Sequence, residues 1–318
     1  MNRQTQTTWL PAALAAALSL VLYAGPWIMP LLGALASLVA PLPLVMLYRR
    51  HGTRAGRLGV VVAMLGAMVF FQVLLGGGGL YFLYHAALAL VMGEALELGL
   101  RGDWALGGAA AASILVLVVI LALGGLFSGQ GIWEAWKLQW RRELDMVIAM
   151  YQQAGLKGPE VEQVRRTLEA MGRLLMRLGP GIMVGGSLLV AWVNLLLART
   201  LAPRLAPRVA AGQEPLDTWQ APEHLVWVFI AGAALTAFTG GWTRWLGANL
   251  ILVLGVLYYF QGMAVLAHWM TRKKVPRFVR VGIYAFIALE FFLALLVAAA
   301  GLFDMWFNFR KLEKSTPA

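Results

Sequence analysis

Apolar residues run almost unbroken for fifteen to twenty-five positions at a time along this chain, and short polar turns separate the runs. Such runs are too long for buried strands and lack the polar face of a surface helix. A hydrocarbon core about 30 Å thick needs roughly 20 apolar residues, and unpaired backbone amides in hydrocarbon force each crossing into a helix. Nine segments fit: residues 9–24, 28–48, 58–75, 80–98, 104–127, 181–197, 225–239, 246–270 and 279–303. Pro30, Pro41 and Pro43 interrupt the second and the seventh is short, so eight complete spans also fit. The pattern predicts an all-α, polytopic transmembrane bundle of eight or nine spans. One charge, Arg3, precedes the first run and no small-residue cleavage pattern follows Leu22, Tyr23 and Ala24, which predicts an uncleaved first helix.

One hydrophilic insertion, residues 128–178, is patterned as an amphipathic helical hairpin. Val161, Val164, Leu168, Met171, Leu175 and Leu178 recur three and four apart beside Arg165, Arg166, Glu169 and Arg173. Trp133, Trp136, Trp140, Leu144, Val147 and Tyr151 repeat the spacing before it, and Gly155 and Gly158–Pro159 separate the two helices. The seam either packs these helices together or serves as a partner surface or lid, with the tryptophans suited to the bilayer interface. A second break carries Pro203, Pro207, Pro215 and Pro222. It divides the chain into a six-span bundle at 1–200, a proline-rich cytoplasmic linker at 201–222 and a three-helix unit with a short basic tail at 223–318. No internal repeat stands out, so an inverted-repeat transporter architecture is not expected.

Composition agrees with the pattern: hydrophobic residues make up 60% and charged residues 13%, against roughly 45–50% and about 25% in soluble domains. The net charge of +11 does not mark a nucleic-acid binder, because the basic residues gather in turns. Arg3, then Arg49, Arg50, Arg54 and Arg57, then Arg101, then Arg199, Arg204 and Arg208, then Arg272, Lys273, Lys274, Arg277 and Arg280 fall in alternate turns. Retention of basic turns inside predicts a cytoplasmic N-terminus and an outer hairpin. Arg310, Lys311 and Lys314 in the tail argue for a cytoplasmic C-terminus and hence an even number of spans. The chain has no cysteine, which excludes disulfides, thiolate metal sites and cysteine nucleophiles.

An ionisable group inside a span is costly unless paired or wetted, so each one is a functional candidate. Glu290 lies mid-way along the ninth segment, either as an ion, proton or ligand contact or as a carboxyl joining helices. Gln261, His268 and Asn249 on the eighth are its possible partners, or make interhelical hydrogen bonds. Glu94 and Glu97 form a proton site or snorkel toward Arg101 or Arg57. His85 and Gln72 flank the loop 76–79, four consecutive glycines that suit either a gate or a tight turn. Ala12 with Ala16, Ala13 with Ala17, Gly107 with Ala111 and Gly181 with Gly185 hold helix-contact spacing, within the bundle or toward a partner. No zinc-protease helix motif, phosphate loop or nucleophile elbow occurs, and the four histidines are scattered, so neither enzyme activity nor a metal or cofactor is expected.

Two stretches carry a family resemblance: Leu257, Tyr258, Tyr259, Phe260, Gln261 and Gly262, and then residues 301–311, which contain Gly301, Asp304, Trp306, Asn308 and Arg310. The chain resembles the YybS-like or DUF2232 family of bacterial membrane proteins. Its second stretch is like that family's Gly-Leu-x-Asp-x-Trp-x-Asp-Phe-Arg ending, with Asn308 where an aspartate is common. The resemblance marks Tyr258, Gln261, Gly262, Gly301, Asp304, Trp306 and Arg310 as motif residues and implies a multi-pass protein of the bacterial cytoplasmic membrane. The family's N-terminal region in turn looks like the six-helix substrate-binding subunits of energy-coupling-factor transporters. That likeness implies a small-molecule ligand of unknown identity, a coupling membrane protein with ATPases contacted through Ala12, Ala13, Ala16 and Ala17, and outer loops that close over substrate. The leading expectation is a solute-binding subunit whose pocket or pathway uses Glu290, Gln261, His85 and Gln72. The rival is a membrane scaffold that recruits partner proteins or lipids.

Overall fold

The computed structural model describes residues 3–127, 129, 131–153, 155, 158–205 and 219–311, and among them every regular element is helical. Six helices are long and apolar enough to cross a membrane, seven if one bent pair counts as a single span. Their outward faces carry Leu14, Leu18, Val21, Leu65, Leu115 and Val119, all exposed. A belt of unpaired aliphatic side chains on that scale belongs against lipid rather than water.

The first expected span is α1 (Arg3–Ile28). The second is not one rod: α2 (Pro30–Leu38) runs back along α1, turns at residues 39–41, and continues into α3 (Leu42–Ala67). Within α3 the chain reverses at Gly52 (φ 81, ψ 179), a conformation open to glycine because it has no Cβ. Leu44 and Leu47 before the break therefore pack on Gly59 after it. The second expected span is itself broken at residues 39–41, and the reversal at Gly52 is the turn expected before the third, whose helical run begins there. A π-helical turn (Met68–Leu74) closes this run. α4 (Gly79–Glu97) and α5 (Gly102–Phe127) follow.

The expected hairpin is present. α6 (Ile132–Gln153) runs against the first half of α7 (Pro159–Leu205), a 47-residue helix that continues through Pro180 into the bundle. Leu144 and Ile148 are buried in the seam, Val161, Val164 and Leu168 are half-buried, and Arg165 meets Asp145 at 3.4 Å. Farther along, Gly172 is buried against Trp140, while Met171 and Leu175 remain exposed. The main core joins α1, α3, α4, α5 and α7 around Leu44, Tyr48, Phe71, Phe82, Leu88 and Met92. Most of the expected linker, residues 206–218, lies outside the described residues, as does the tail from residue 312.

In the C-terminal unit, α8 (Leu225–Phe238) is only 14 residues long, α9 (Gly241–Arg272) is 32, and the expected ninth span is split into α10 (Arg277–Leu289) and α11 (Phe291–Phe307), bent by 105°. α9 runs parallel to α7, with Gly181 at Asn249, Gly185 at Leu252 and Trp192 stacked on Phe260 at 4.5 Å. α8 lies antiparallel along its first half, where Gly232 meets Gly247. α11 lies antiparallel along its second half, where Val297 meets Gly262 and Gly301 meets Tyr258. The two shorter helices together flank the length of the central one.

Candidate functional site

Where the start of α8 and the end of α11 converge on α9, the structure buries an ion pair. Arg310 donates from Nη2 to Asp304 Oδ2 at 2.8 Å and from Nε to the same oxygen at 3.1 Å, and neither side chain is exposed. Gln261 on α9 donates from Nε2 to that carboxylate at 3.2 Å, while its Oε1 accepts the Ala221 N–H at 3.0 Å. Arg310 Nη1 also donates to the Trp219 carbonyl at 2.9 Å. Three separated pieces of sequence, residues 219–221, Gln261 and 304–310, are tied into one knot.

Local structure explains the arrangement. Gly262 and Gly301 let α9 and α11 touch backbone to backbone: a Cβ on Gly301 would overlap the Tyr258 carbonyl, and one on Gly262 would overlap the Val297 carbonyl. That approach brings Asp304 within reach of Gln261. A carboxylate in the last turn of a helix opposes the helix dipole, and the Arg310 guanidinium offsets it. To return there, the chain turns through Asn308 at φ 42, a left-handed conformation that asparagine and aspartate tolerate better than most residues. Tyr258 is buried against Phe229, with ring centroids 5.6 Å apart. Its hydroxyl and Asp304 Oδ1 are sealed from solvent without hydrogen-bond partners. Between these inward residues, Phe303, Trp306, Phe307 and Phe309 face outward and exposed, with the Phe307 and Phe309 rings stacked at 5.7 Å.

The remaining candidates are dispersed. Glu290 is exposed at the break between α10 and α11 rather than enclosed within a continuous span, and it meets neither Gln261 nor His268. His268 is half-buried. Asn249 bridges two helices: its Oδ1 accepts the Gly181 N–H at 2.6 Å and its Nδ2 donates to the Arg177 carbonyl at 2.8 Å. Those are the groups an uninterrupted helix pairs with each other, in the turn that contains Pro180, so the amide splints α7 there. Gly185 rests on Leu252 and Val256, so both glycines of this pair serve contacts inside the chain.

In the first bundle, His85 stands among Tyr23, Phe82 and Tyr84, with ring centroids 5.0–6.3 Å away and its Nδ1 shielded without a hydrogen-bond partner. The Tyr23 hydroxyl donates to the Gly78 carbonyl at 2.7 Å, fastening the glycine loop over these rings. Gln72 is half-buried, and its backbone packs against Gly79. Arg57 grips Glu94 with two bonds of 2.7 and 2.9 Å, as expected for one of the two carboxylates, whereas Glu97 Oε1 is shielded without a hydrogen-bond partner. Ala12 and Ala16 are buried inside the protein, whereas Ala13 and Ala17 face outward. Other polar side chains tie helix to helix: Ser19 to the Ala40 carbonyl, Tyr84 to Ser187 and Asn194 to the Leu38 carbonyl. A groove lined by Tyr151, Glu160, Gln163 and Thr167 lies at the hairpin tip, away from all of these residues. No group of metal-ligating side chains occurs among the described residues.

The roles of Trp219 and Ala221 were hidden from the sequence because both act through backbone atoms. A family described as "Predicted membrane protein (DUF2232)" matches residues 15–305. The chain is similar to "Uncharacterized protein YybS" of Bacillus subtilis (strain 168), with 23% identity over 290 residues that cover 90% of this chain and 91% of the relative. No solved structure matches it.

Proposed function

The chain belongs to the DUF2232 family of membrane proteins, and from that premise we propose that it acts as a non-catalytic membrane scaffold that holds partner proteins at the bilayer. One observation carries this reading: the motif residues Gln261, Asp304 and Arg310 are consumed by one another, while Phe303, Trp306, Phe307 and Phe309 between them are displayed outward. A motif that binds a solute turns polar groups toward a cavity; this one uses them to stiffen an aromatic face. Aromatic side chains, phenylalanine and tryptophan among them, are enriched at the centres of protein contacts. On this reading the N-terminus is cytoplasmic, the membrane is the bacterial cytoplasmic membrane, and the hairpin projects outward, as the basic turns require.

The test is photo-crosslinking in native membranes from a benzophenone amino acid placed at Trp306 or Phe307. Discrete protein adducts are expected there, with no such adducts from a probe at Phe291, and they should disappear in Arg310→Gln. Labelling of lipid alone at all three positions overturns the scaffold reading.

A second reading, a solute-binding subunit like those of energy-coupling-factor transporters, draws support from the enclosed His85 beneath the Gly78 loop and from the outward pair Ala13 and Ala17, which suits a coupling protein. It requires a small molecule that survives purification, detected as a mass adduct in native mass spectrometry and lost in His85→Phe.

A further inference from the structure

The corner between α9 and α10 concentrates positive charge without a counter-charge. Arg272, Lys273 and Lys274 end α9, the chain turns at Lys274 (φ 53), and α10 begins at Arg277. Arg280 is committed to the corner itself: it donates to the Val275 carbonyl at 2.8 Å, the Thr271 hydroxyl at 3.0 Å and the Met270 carbonyl at 3.1 Å. It thereby adds a second donor to the Met270 carbonyl, which already accepts the Val275 N–H at 2.9 Å, and ties the turn to the end of α9. Arg272, Lys273, Lys274 and Arg277 are left exposed, and none forms an ion pair or side-chain hydrogen bond with another described residue. No acidic residue occurs in the sequence between Glu223 and Glu290.

The helix that follows is equally distinctive. α11 lies antiparallel along α9, which is long enough to cross the bilayer, and α10 lies at 105° to α11, so α10 runs roughly along the membrane surface. Phe278, Val281, Phe286 and Leu289 are exposed on it, and Ile287 is its buried residue. Cations at one end and unpaired apolar side chains along an in-plane helix are the features by which amphipathic helices settle at the headgroup boundary. A soluble acidic partner would match the cations but leave Phe278 and Val281 in water. Because α9 is parallel to α7, the corner also lies toward the end of the molecule that holds Arg199 and, beside it, Gly102 next to Arg101. Basic excess of this kind marks the cytoplasmic leaflet, where anionic lipids attract juxtamembrane cations.

We propose that the α9–α10 corner is a binding site for anionic phospholipid headgroups, with Arg272, Lys273, Lys274 and Arg277 around the phosphate and Phe278 and Val281 against the acyl chains. The assignment is independent of the scaffold and solute readings. The test reconstitutes the full chain in nanodiscs of phosphatidylcholine containing phosphatidylglycerol and counts retained lipids by native mass spectrometry. Wild type is expected to retain phosphatidylglycerol in excess of its share. The variant Arg272→Gln/Lys273→Gln/Lys274→Gln/Arg277→Gln should lose that preference by about tenfold or more, whereas Arg272→Lys/Lys273→Arg/Lys274→Arg/Arg277→Lys should keep it. The pair Lys273→Gln/Lys274→Gln, a milder change to the same corner, should give a partial loss. Soluble glycerol phosphate in excess should leave the retained lipid in place. Equal retention by wild type and the neutral variants, or displacement by glycerol phosphate, overturns the proposal.

Discussion

Asp304 and Tyr258 are neighbours on the same helix contact, yet their removal should have opposite signs. Asp304→Asn leaves the Arg310 guanidinium buried without its counter-charge, and breaking a buried pair from one side costs about 3–5 kcal/mol. Tyr258→Phe removes a hydroxyl that is sealed from solvent without a partner, and eliminating such a group relieves a burden of about 1–3 kcal/mol. Thermal unfolding in detergent should therefore place Asp304→Asn well below wild type and Tyr258→Phe at or above it; the reverse order would refute the arrangement around Gln261. Chain pattern singled out Gln261, a polar side chain in an apolar span, and the family likeness singled out Asp304 and Arg310. They did not reveal that these residues bond to one another, because the contact depends on two glycines whose meaning emerges only when helices cross. Glu290 drew attention for the same chemical reason and lies elsewhere, since a regular apolar run does not announce a bend.

Helix contacts in this protein depend on where small residues face, and spacing alone does not tell. Gly301→Ala would drive a methyl group into the Tyr258 carbonyl, with an overpacking cost of about 1–3 kcal/mol. Gly255→Ala on α9 meets open space and should be tolerated, so thermal stabilities of the two variants measure the helix approach directly. Asn249 performs a different task, holding α7 together across the turn of Pro180. Asn249→Leu should raise hydrogen–deuterium exchange at Gly181 and its neighbours while exchange at the Asp145–Arg165 end of the hairpin stays unchanged. The hairpin was legible because heptad spacing is a local signal. The splint was not, because it joins residues sixty-eight positions apart through a single amide.

Across the whole molecule, the absence of cysteine provides a clean background for mapping which turns share a side. Single cysteines at Arg54, Arg101 and Lys274 should react with an impermeant maleimide only after the membrane is opened, whereas one at Gln152 should react in intact cells. Labelling of Lys274→Cys and Gln152→Cys from the same side would overturn the topology. The membrane class and the order of apolar segments followed from the sequence because lipid imposes length and composition on every span. The division of the last segment did not, because it preserves those quantities. α7 has 47 residues and is about 70 Å long, with Pro180 dividing it into arms of roughly 33 and 37 Å. The second arm is fixed in the core through Val190, Ala191, Leu195 and Ala198, and Asn249 braces the junction, so the first arm stands as a mast on an anchored foot. Spin labels at Gln163 and Thr200 should then hold one narrow distance, which Asn249→Leu should broaden.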